Sequence, residues 1–137
     1  EAGVVRRVVA AVVYLHLAAA TLHGAAHAAL GIDVSGPWDR VFLLATVWLG
    51  PPAALRLLGR GRPAGGAALL AASMGGALVY GIVYHYVLPT PDHVARTPPG
   101  LWGAAFRASA LAIALLEGVG ALIGARLLAS SRRRVPR

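Results

Sequence analysis

The chain has no cysteine and no lysine, and only 13% of its 137 residues are charged and 7% aromatic. Without cysteine there are no disulfides, no thiolate metal sites and no cysteine nucleophile. The hydrolase signatures G-x-S-x-G and H-E-x-x-H are missing as well, which lowers the case for an enzyme acting on lipids by acid–base catalysis. What charge there is leans one way, thirteen arginines against five acidic residues, for a formal net charge of +8. Such a balance can mark a nucleic-acid partner, but no basic face is interleaved with aromatics and most arginines sit just outside apolar runs. Nucleic acid is therefore not an expected partner.

What the chain has in abundance is apolar side chains. They account for 58% of the chain, and the mean hydropathy of +0.68 is far above that of a soluble domain. A hydrocarbon core about 30 Å thick takes about 20 helical residues to cross, and four runs approach or exceed that length, at about 8–30, 41–58, 64–88 and 101–128. Period-2 alternation is absent, which argues against a closed barrel, the other spanning solution. The expected fold is an all-α integral membrane protein, a four-transmembrane-helix bundle forming a single domain over 1–137 with a basic tail at 129–137. The second run is short and carries Pro51 and Pro52, so a kink is expected there. The first run follows Arg6 and Arg7 much as a secretory signal would. It is longer than a signal core and holds three histidines, so a retained helix is expected.

Arg6, Arg7, Arg56, Arg60, Arg62, Arg126, Arg132, Arg133, Arg134 and Arg137 fall on one side of such a bundle, against Arg40 and Arg96 on the other, with Arg107 just inside the fourth run. This asymmetry predicts both termini in the cytoplasm, with Trp38 and Trp102 at the outer boundary. The expected setting is a bacterial or archaeal plasma membrane, with the lipid bilayer as partner and assembly into a homo-oligomer or a larger membrane complex left open.

The ionisable residues inside the apolar runs are the candidates for function, because such groups are expensive in hydrocarbon. His16, His23 and His27 recur at steps of seven and four, which returns each to one stripe of a helix. His23 and His27 fall near the external end of the first helix. His85 falls at the matching depth of the third, and Asp92 and His93 follow in the next loop. Imidazoles four apart with a third from a facing helix make a common transition-metal set. His23, His27 and His85 are thus the expected ligands of copper, zinc or iron, with Asp92 and His93 as loop contributors. His27 and His85, at matching depth beside Gly24, Ala28 and Gly81, could also serve as the two axial imidazoles of a haem. Deeper in, His16 and Glu117 lie at one level by helix rise, and Glu117 shares its face with Gly120 and Gly124, where a second helix can approach closely. They are expected to form a buried proton or ion pair. The leading expectation is a histidine-lined cavity near the external face, holding a metal or haem for redox chemistry or metal handling. The alternatives are a small proton- or cation-coupled transporter or channel using His16 and Glu117, or an accessory subunit of a larger membrane complex.

Overall fold

The computed structural model describes residues 2–33 and 36–132. Among them there is no strand, and four helices are long and apolar enough to cross a membrane. They are α1 (Ala2–Leu30), α2 (Pro37–Gly59), α3 (Pro63–Val87) and α4 (Leu101–Arg132). The chain is an all-α integral membrane protein.

Helix ends run past the apolar runs. Arg6 and Arg7 lie inside α1 with exposed side chains, since long cationic side chains reach polar surroundings without breaking the helix. Pro37 occupies the first turn of α2, where its missing N–H is no loss. The expected basic tail continues α4 through Arg132, while 133–137 lie outside the described residues.

The irregularity expected at Pro51 and Pro52 takes a different form and position. The prolines begin a regular α segment, Gly50–Gly59, and the residues before them, Leu44–Leu49, are wound as a π-helix. Neither proline can donate to the carbonyl four residues back, and their rings crowd those carbonyls. A wider turn accommodates both. A second π-helical turn, Val83–Val87, ends α3 and carries His85. Both widenings border the cavity described below, consistent with the tendency of π-bulges to fall at functional sites.

The core sits toward the termini. Val9, Val13, Ala54, Leu70 and Met74 form one fully buried cluster, sealed by glycines of α4. A Cβ at Gly124 would lie 2.6 Å from the backbone nitrogen of Ala71, and one at Gly120 would lie 2.1 Å from Sδ of Met74. Only glycine allows approaches this close. α4 packs along both α1 and α3, and α2 packs on α3 and α1 mainly through Gly50–Gly59. The Pro37–Leu43 end of α2 stands off from α1, and this gap becomes the cavity. Tyr14, Leu15, Val79, Leu111, Leu115 and Leu122 are exposed on the outside of the bundle, as suits side chains that meet acyl chains rather than water.

Candidate metal centre

At the end of the bundle away from the core, His23 and His27 of α1 meet His85 of α3. One ring nitrogen from each lies within 4.8 Å of the others. The spacing of four puts the first two on one face, and the π-helical turn presents the third. Phe106 of α4, fully buried, packs its ring 4.6, 5.0 and 5.5 Å from the three imidazole centroids. It forms an apolar backing that keeps water from one side of the cluster.

Each imidazole is tied at Nδ1. His27 donates to the carbonyl of Ile32 at 2.9 Å, and His85 donates to the carbonyl of Asp92 at 2.9 Å. His23 lies 3.0 Å from Oγ of Ser109. That hydroxyl already donates to the carbonyl of Ala105 at 2.7 Å, so its oxygen accepts from His23. A neutral imidazole with its proton on Nδ1 carries its lone pair on Nε2. This outer-shell arrangement is the one that orients histidine ligands for a metal.

Two of the freed nitrogens crowd against the Asp92 carboxylate, with the tethered Nδ1 of His85 beside it. Nε2 of His23 and Nε2 of His27 are 3.2 Å apart, and Oδ1 of Asp92 is 3.1 Å from Nε2 of His27 and 3.6 Å from Nδ1 of His85. Oδ1 is buried and receives no well-aligned hydrogen bond. Burial by itself would raise the pKa of Asp92. Its close contact with His27 and the potential of His85, His27 and His23 outweigh burial and hold the carboxyl below the usual carboxylate range. An anionic oxygen and two imidazole lone pairs around one point repel one another unless a proton or a cation sits between them.

The loop that supplies Asp92 is pinned: Arg96 donates to the carbonyl of Pro89, and Thr90 donates to that of Tyr84 at 3.3 Å. His93 takes another task. Its Nδ1 accepts from the N–H of Ala95 and caps the short 3₁₀ turn Val94–Arg96, so it does not line the cavity beside its neighbour Asp92.

Deeper in, Nε2 of His16 lies 3.1 Å from Oε1 of Glu117, the two residues being 0% and 2% exposed. Nδ1 of His16 is buried with no hydrogen-bond partner. A cavity of about 500 Å³ between α1 and the stretch of α2 from Arg40 to Trp48 reaches from the imidazole cluster to Glu117. Ser109 and Phe106 are participants that sequence reasoning passed over. Ser109 is the only hydroxyl residue in the run 101–128, and that alone could have marked it.

Fold and site together define a four-helix integral membrane protein with an imidazole cluster at one end of its bundle. No protein-family model matches the chain, and neither a curated protein nor a solved structure does so.

Proposed function

We propose that the chain is a membrane metal-handling protein whose His23, His27 and His85, assisted by Asp92, hold one first-row transition-metal ion. The observation that carries this reading is the common tethering of all three imidazoles through Nδ1. The separation of the freed atoms supports it: two nitrogens bound to one tetrahedral ion at about 2.0–2.1 Å lie about 3.3–3.4 Å apart, close to the 3.2 Å between His23 and His27.

The same geometry weighs against haem. Ring centroids of His27 and His85 are 6.2 Å apart, and that of His23 is 4.7 and 4.9 Å from them. His23 therefore sits about 3.7 Å from the midpoint of the other two, where a macrocycle held between axial imidazoles would lie. A bare ion accommodates all three rings.

Elemental analysis and metal titration of protein purified in mild detergent test the reading. After chelation the protein should take up one equivalent of Co(II), Zn(II) or Cu, with ligand-field bands of a nitrogen-rich site for Co(II), and His27→Ala should lose this uptake. A Soret band in the purified protein, or equal metal uptake by His27→Ala, would overturn it. In the proposed orientation the arginine asymmetry keeps both termini cytoplasmic and opens the cluster outward. A C-terminal reporter active only outside the membrane should stay silent, and a strong signal would invert the assignment.

A further inference from the structure

Two buried polar sites share one cavity. The imidazole cluster borders one end, and Glu117 forms part of the wall deeper in the bundle. Between them stands Gly81 of α3. A Cβ built on it would lie 3.9 Å from Cδ2 of His85 and 4.0 Å from Oε2 of Glu117. Those two atoms are therefore no more than about 8 Å apart, across space left by a missing side chain.

Glu117 offers this space its second oxygen, while Oε1 faces His16. A carboxylate and an imidazole form a donor set suited to borderline divalent ions such as zinc, cobalt or iron. Their 3.1 Å separation is also that of two ligands sharing an ion at about 2.0–2.2 Å from each. A cation entering there displaces the proton shared by Oε1 and Nε2, which leaves through the cavity that Glu117 lines. The partnerless Nδ1 of His16 shows that the pair is not a closed hydrogen-bond network, as a purely structural pair would be. Beyond the pair the way is shut by the Val9, Val13, Leu70 and Met74 core.

We propose that Glu117 and His16 are a second, deeper station for the same transition-metal ion, reached from the imidazole cluster through the gap at Gly81, and that the chain is a metal transporter. The structure then corresponds to a state open on the cluster side and closed at the dry core. This rests on the reading of His23, His27 and His85 as a metal site.

The test pairs two measurements on the full chain: Zn²⁺ affinity in detergent by competition with a chromophoric chelator, and Zn²⁺ influx into proteoliposomes loaded with a zinc-sensitive dye. Glu117→Gln keeps volume and an oxygen toward His16 but removes the charge; Gly81→Ala places a methyl in the gap, in ordinary contact 3.9 Å from His85 and 4.0 Å from Glu117, and displaces neither. Both variants should keep the affinity of the tight site within about threefold, below the loss typical even of an outer-shell change, and both should let influx fall to the leak of protein-free vesicles. Retained affinity doubles as the control for folding. Wild-type influx no faster than leak, or unchanged influx in either variant, overturns the proposal while leaving the metal site standing. Absence of tight zinc binding in the wild-type protein overturns the underlying site itself.

Discussion

Around Gly120 and Gly124 the helices touch so closely that a methyl group has no room, whereas around Gly24 a Cβ would meet nothing within 4 Å. The first region holds the buried Val9, Val13, Ala54, Leu70 and Met74; the second holds three imidazoles, a carboxylate and a cavity of about 500 Å³. One bundle thus has a half closed by backbone contact and a half that keeps a cavity beside its polar groups. The lesson lies in where the stability resides. Dispersion and close approach of backbones fix the dry half, and that anchorage lets the other half keep polar groups in a low-dielectric setting where most sequences could not keep them.

The contrast can be broken at its boundary. His16→Ala strips Glu117 of its partner and opens a void beside it, and removing one member of a buried pair costs about 3–5 kcal/mol. Thermal unfolding in detergent should show the largest loss of any variant named here, and a wild-type melting temperature would mean that the pair stabilises nothing. Within the dry half, Gly124→Ala must push α4 away from the Ala71 backbone, a strain of about 1–3 kcal/mol. That loss should appear in the same melts with zinc affinity little changed.

Ser109→Ala reports on the other half. It frees Nδ1 of His23, and loss of such an outer-shell partner weakens metal binding about 10- to 100-fold. Calorimetric titration showing an unaltered dissociation constant would remove Ser109 from the site. The smallest effect is expected at Gly24. Alanine there touches nothing and gains helix propensity, so Gly24→Ala should raise stability by about 0.5–1 kcal/mol. A destabilised Gly24→Ala variant would show that the open half is as tightly packed as the dry one.

The four spans were legible because each is an apolar run of membrane length, a signal that depends only on composition. Their ends were not, since arginines such as Arg6 and Arg7 can continue a helix into polar surroundings at little expense. The column of His16, His23 and His27 followed from helical period, and the level of Glu117 from helix rise; both are properties of a single helix. The π-helical turns were hidden because they arise where prolines and tertiary packing compete with the regular ladder, and no local pattern records the outcome. The part of Ser109 and the separate engagement of His93 depended on which rotamers the folded bundle allows.

The walls of the cavity also carry a charge balance. Asp33, Asp92 and Glu117 line it, against Arg40. Asp33 and Arg40 are exposed to solvent, whereas Asp92 and Glu117 lie inside, each with an oxygen 3.1 Å from an imidazole nitrogen. Each inner carboxylate thus has a partner able to carry the compensating proton, and no isolated charge is left in low-dielectric surroundings, where the penalty for net charge is steep. Under the proposed metal reading, an ion entering the cavity is weighed by this pairing of charges as well as by ligand geometry.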